Sequence, residues 1–144
     1  MAEDLDPKTF SNELLKAIRR TPGATVKVVR RNSADVKKQA RRNVKLTAPI
    51  HNAHANTAIN YDVEAKGVEV VGEIGYDKTQ KAGRIGNLLE FGGGGDHSPP
   101  HRDLARALDG QVTLFEDDLA DMGEALIAGA IEKTLARMEP DETE

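Results

Sequence analysis

Near the middle of the chain, Leu88-Leu89-Glu90-Phe91 runs straight into four consecutive glycines, Gly92, Gly93, Gly94 and Gly95. Soon afterwards comes Pro99-Pro100-His101-Arg102-Asp103-Leu104-Ala105-Arg106-Ala107-Leu108. Four residues without Cβ atoms let the backbone take positive φ or pass close to another surface. The paired prolines then stiffen the chain before a new helix starts. This layout fits an arm hinged on a rigid body and does not fit a buried catalytic turn.

The 144 residues suit one domain that buries roughly two-thirds of its unfolded surface. Aromatic anchors are few: Phe10, Tyr61, Tyr76, Phe91 and Phe115. The core must therefore lean on Val, Ile, Leu and Ala, and burial against further copies would help it. There are no cysteines, which excludes disulfides, thiolate metal sites and thiol nucleophiles. No stretch approaches the length of apolar sequence a membrane span needs, and the first residues are acidic where a signal peptide would be basic. The expectation is a soluble protein made in the cytoplasm, without a membrane partner.

A net charge of −4 conceals an asymmetry. Residues 16–45 hold eleven Lys or Arg and one acid, Asp35. Residues 109–144 hold eleven Asp or Glu against Lys133 and Arg137. One end of the molecule is expected to be basic and the other acidic, which suits head-to-tail stacking of copies or a basic face toward nucleic acid.

Asp6-Pro7 is a helix start, a capping acid followed by proline in the first turn. Phe10, Leu14 and Ile18 continue one stripe until Thr21-Pro22-Gly23 ends that helix. A second helix follows, carried by Val26, Val29, Val36, Ala40 and Val44 up to Ala48-Pro49. Residues 50–56 are small and polar, a loop. Then the period changes to two: Thr57, Ile59, Tyr61 and Val63, a turn at Lys66-Gly67, and Val68, Val70, Gly72, Ile74 and Tyr76. This is a β-hairpin, and it needs a helix beneath it or strands beside it, which a neighbouring subunit would supply. Residues 77–83 form a polar loop, and 85–91 a short helical turn or strand. A short helix over 102–108 and a longer one over 112–138 follow, with Phe115, Leu119, Met122 and Leu126 on one stripe. The expected fold is α+β: N-terminal helices, a central antiparallel β-hairpin or small sheet, a Gly/Pro-rich arm over 92–101, and a long C-terminal helix. Residues 1–138 make one domain, and 139–144 an acidic, disordered tail.

Enzymatic motifs find little support. His51 and His54, and His97 and His101, are spaced like ligand pairs, but both pairs lie in Gly-, Pro- or Asn-rich loops rather than on ordered elements. The glycines lack the Gly-Lys-Ser/Thr ending of a phosphate loop, and Asp96 would repel phosphate. Ser11, Ser33 and Ser98 have no nucleophile elbow around them. Glu116-Asp117-Asp118 belongs to an acidic helix start. The expectation is a non-enzyme with neither metal nor cofactor. The basic stretch has no interleaved aromatics for base stacking, so any contact with nucleic acid would be to phosphates.

The order of features resembles the head–tail joining, or tail-completion, proteins of long-tailed bacteriophages, the gene-product-ten-like neck proteins. The resemblance spans 34–109. It is carried by a basic helix ending in Ala48-Pro49, the hairpin, Leu89-Glu90-Phe91-Gly92, Pro99-Pro100, and Ala105-Arg106-Ala107-Leu108. His101 and Arg102 stand where an aromatic commonly follows the arm prolines. The resemblance implies a structural virion protein whose copies form a ring, expected to be a hexamer. That ring would sit at the head–tail junction, between the head-closure (stopper) protein and the tail terminator or tail tube, with genomic DNA passing through its lumen. Glu90, Phe91, Gly92, Gly93, Gly94, Gly95, Pro99, Pro100 and Arg102 would contact a neighbouring copy or ring. Lys37, Lys38, Arg41, Arg42 and Lys45 would face the lumen, its DNA, or an acidic partner.

Two other readings compete. A small nucleic-acid-binding accessory protein would use the basic face over 16–45, and a metal-dependent hydrolase would use the four histidines.

Overall fold

The computed structural model describes residues 6–48, 50–92 and 99–138. Gly93, Gly94, Gly95, His97 and the tail after Met138 lie outside the described residues. The element order is helix α1 (Pro7–Thr47), a 3-10 helix (Ile50–Ala58), strands β1 (Ile59–Lys66) and β2 (Glu69–Tyr76), then helices α2 (Lys81–Phe91) and α3 (Asp103–Met138). This is an α+β fold in which two long helices form the frame and a two-stranded antiparallel sheet packs on α1.

Helix α1 starts where the sequence predicts: Asp6 caps it by accepting from the Thr9 amide at 3.2 Å. It does not stop at Thr21-Pro22-Gly23. It continues for 41 residues with Pro22 inside, about 61 Å. The reason is tertiary. Pro22 and Gly23 are exposed, whereas Ala17, Val28 and Asn32 are buried, and α3 packs along α1 beyond both sides of the proline. That continuous contact outweighs a local penalty of about 3 kcal/mol. The two helices predicted over 102–108 and 112–138 likewise join into one, with Gly110 on the exposed side.

The helices run antiparallel, as their cross-links show. Arg137 reaches Glu13 at 2.8 Å, Arg31 reaches Asp118 at 3.0 Å, and Thr47 reaches Asp103 at 2.9 Å. The basic and acidic stretches therefore lie side by side along one helical hairpin, instead of at opposite ends of the molecule.

The predicted loop over 50–56 is 3-10 helix, so β1 begins at Ile59 rather than Thr57. The hairpin has the expected register, Ile59 opposite Tyr76 and Val63 opposite Gly72. Gly67, at φ 61°, supplies the first position of its two-residue turn. Gly72 crosses α1 so closely that a Cβ there would stand 2.6 Å from Ser33 Oγ and 2.9 Å from Val29 Cγ1. The core gathers at this end, where Val36, Ala40 and Val44 of α1 meet Ala55, Ala58, Ile59, Tyr76 and Ala107.

Candidate functional site

Helix α2 is delivered by a turn in which Asp77 accepts from the Thr79 amide and hydroxyl, at 2.9 and 2.6 Å. These bonds hold the Asp77 carboxyl below the usual range. Gly83, Gly86 and Glu90 recur at helical spacing, and all three are buried. The two glycines let α2 lie against the Asp77 backbone and the Tyr76 ring, where Cβ atoms would collide. The same face then carries Glu90, 4% exposed, into the interior.

Glu90 joins the two ends of the predicted arm. Its carboxylate accepts from the Leu104 and Ala105 amides at 2.9 and 3.0 Å, filling the orphan donors of the first turn of α3. Beside it, the His101 amide donates to the Leu89 carbonyl at 2.8 Å and the Arg102 amide to the Glu90 carbonyl at 3.2 Å. Gly92, the C-cap of α2 at φ 74°, and Pro99 thus flank one clamp. Arg102 sits at φ 54° within it, a costly conformation for a residue with a Cβ.

The first residue of α3, Asp103, is fully buried. It accepts from the Thr47 hydroxyl at 2.9 and 3.0 Å and from the Arg106 guanidinium at 2.6 Å, while its carbonyl accepts from the Asn43 amide at 3.1 Å. The C-terminal end of α1 is thereby bonded to the start of α3. The Tyr76 hydroxyl is buried with no hydrogen-bond partner among the described residues. Burial, and then the Asp103 and Glu90 charges, push its pKa far up. The oxygens of both carboxylates are taken by amides, a hydroxyl and a guanidinium. The cluster holds three helices in place.

The predicted contact residues divide on this geometry. Phe91 is 76% exposed, and Pro99, Pro100 and Arg102 are also exposed. Glu90 departs from the expectation: it turns inward to cap α3 and presents no side chain to a neighbour. The predicted basic group splits as well. Lys37 lies over the Tyr61 ring, 5.6 Å from its centroid. Arg41 donates to the Ile59 carbonyl at 2.9 Å and the Thr57 carbonyl at 3.3 Å, pinning the start of β1. Lys38, Arg42 and Lys45 stay exposed.

Two surfaces escaped the sequence reading. One is an open apolar groove of about 270 Å³ between β2 and the two long helices, walled by Val29, Val36, Ile74, Val112 and Phe115. Its signal was present in the apolar spacing of both helices, but only their antiparallel pairing brings the stripes together. The other is a repeat in α1. Lys16-Ala17-Ile18-Arg19-Arg20, Lys27-Val28-Val29-Arg30-Arg31 and Lys38-Gln39-Ala40-Arg41-Arg42 recur every eleven residues, a regularity hidden by placing a helix boundary at Pro22.

Of the histidines, His54 is exposed on the 3-10 helix, and His101 Nδ1 lies 3.9 Å from Asp103 Oδ2. Among the described residues no three His, Asp or Glu side chains converge as metal ligands. No helix there is long and apolar enough to cross a membrane. No family model, curated protein or solved structure matches this chain.

Proposed function

We propose that this protein is a structural, non-enzymatic component of a phage head–tail connector. In this reading its copies close into a ring, a hexamer, between the head-closure protein and the tail terminator of the virion, and DNA passes through the centre. The observation that carries the reading is the clamp at Glu90. It ties both ends of the Gly/Pro segment to one rigid point beside the exposed Phe91, as an arm reaching a neighbouring copy requires. The two-stranded sheet, with both edges unpaired among the described strands, also supports assembly. A contact between copies would also cover the exposed Leu15, Ile18 and Phe91. A heterologous contact of this kind closes into a ring when its rotation divides the circle.

The test is light scattering behind size exclusion together with negative-stain imaging, on the full chain and on a variant lacking residues 92–100. A closed ring with a central channel, lost on deletion, is the expected result. A full chain that stays monomeric both alone and with head-closure and tail-terminator proteins would sink the reading. The competing role, a small accessory protein that binds nucleic acid, draws on the basic side of α1 alone and predicts DNA retention by a monomer.

A further inference from the structure

Eleven residues make three turns of α-helix, so the three Lys-x-x-Arg-Arg units of α1 stack along one flank at intervals of about 16.5 Å. Only a continuous helix through Pro22 keeps them in line. In each unit one cation serves the fold: Lys16 meets Glu13 at 3.4 Å, Arg31 meets Asp118 at 3.0 Å, and Arg41 binds the Ile59 carbonyl. The other two remain exposed in every unit, Arg19 and Arg20, Lys27 and Arg30, Lys38 and Arg42. None of these six has an ion-pair partner among the described residues.

We propose that this flank of α1 binds double-stranded DNA along its phosphate backbones, without reading sequence. A straight rod laid along a duplex meets one or other backbone on average every half-turn, about 17 Å. The centres of the three exposed pairs, at Arg19 and Arg20, Lys27 and Arg30, and Lys38 and Arg42, stand about 13.5 and 17 Å apart along the helix, near that recurrence. Four of the six cations are arginines, whose guanidinium forks suit phosphate oxygens. The absence of aromatic side chains from the three units fits backbone contact rather than base stacking. The inference supplies the ring with its DNA-facing surface, and it rests on that reading only for where the DNA runs.

The experiment is fluorescence anisotropy of a labelled three-turn duplex of mixed sequence against the full-length protein over a range of salt. Light scattering is recorded on the same samples. Six phosphate contacts predict a slope of log affinity against log salt of about −5, and neutralising one pair, as in Arg19→Gln with Arg20→Gln, should reduce it by about 1.8. The pairs at Lys27 and Arg30, and at Lys38 and Arg42, should each give the same step. All six positions are exposed, and an unchanged circular dichroism spectrum would verify the fold of each variant. Absence of duplex binding at low salt would overturn the inference, as would a slope indifferent to these substitutions. Variants that lose self-association while keeping duplex affinity would also overturn it, by assigning the flank to a second copy. A ring that ignores DNA defeats this inference alone, and DNA binding by a protein that never closes a ring defeats only the ring.

Discussion

The Glu90 carboxylate accepts the Leu104 backbone amide at 2.9 Å, so the last turn of α2 caps the first turn of α3 across the intervening Gly/Pro segment. Ala105 donates to the other oxygen. The cap is buried, so water cannot take its place at the two amides. Glu90→Ala should cost about 3 kcal/mol in urea unfolding, whereas Glu90→Gln, which keeps one acceptor oxygen, should lose roughly half as much. Equal losses would show that packing, not capping, is what Glu90 supplies.

Gly86 faces the Tyr76 ring with no room for a methyl group. Gly86→Ala should therefore push α2 off the hairpin and cost at least about 2 kcal/mol. Gly75→Ala, where a Cβ would meet nothing within 4 Å, should stay within about 0.5 kcal/mol of the parent. Chemical denaturation of the two variants checks the contrast.

Tyr76 carries a buried hydroxyl without a hydrogen-bond partner among the described residues, close to the Asp103 and Glu90 carboxylates. Removing it leaves no partner behind, so Tyr76→Phe should be neutral or stabilising by up to about 1 kcal/mol. The raised pKa gives a second readout. Below the ordinary tyrosine value of 10.0 the phenol is protonated in both states. As pH rises above it, only the unfolded chain gives up the proton, so stability falls. The parent should lose stability above that pH faster than Tyr76→Phe, and parallel pH profiles would refute the assignment.

Asp118 accepts from the Asn32 amide at 2.8 Å and pairs with Arg31 at 3.0 Å. The Asn32 bond first, and Arg31 after it, hold its carboxyl below the usual range. A lowered folded-state pKa stabilises above the unfolded value of 3.8 and is lost as pH falls through the folded one. Acid titration of stability should therefore be shallower in Asp118→Asn than in the parent. An unchanged acid limb would remove Asp118 from this role.

Much of the local structure was legible in the sequence. The period-two alternation from Ile59 to Tyr76 specified the hairpin and its facing, because a half-buried strand exposes every second residue. Asp6-Pro7 marked the first residue of α1. Thr21-Pro22-Gly23 misled, since helix-breaking signals describe the isolated chain, while α3 holds both sides of the proline in one helix. The same error concealed the eleven-residue repeat. Glu90 was expected to meet a neighbouring copy, and it turns inward instead. Whether that carboxylate points outward or inward depends on the amides of Leu104 and Ala105, which are near it only in the folded chain.

Propensity, capping and periodicity act between near neighbours, so the residues alone marked the helical and extended stretches and the charge each one carries, though not where α1 and α3 end. Tertiary structure alone decided that α1 and α3 are single antiparallel helices and that opposite charges lie side by side. It also decided that Glu90, Asp103 and Tyr76 share one buried corner. These outcomes depend on contacts between residues as far apart as Glu13 and Arg137, and no local pattern encodes which distant surface a face will meet.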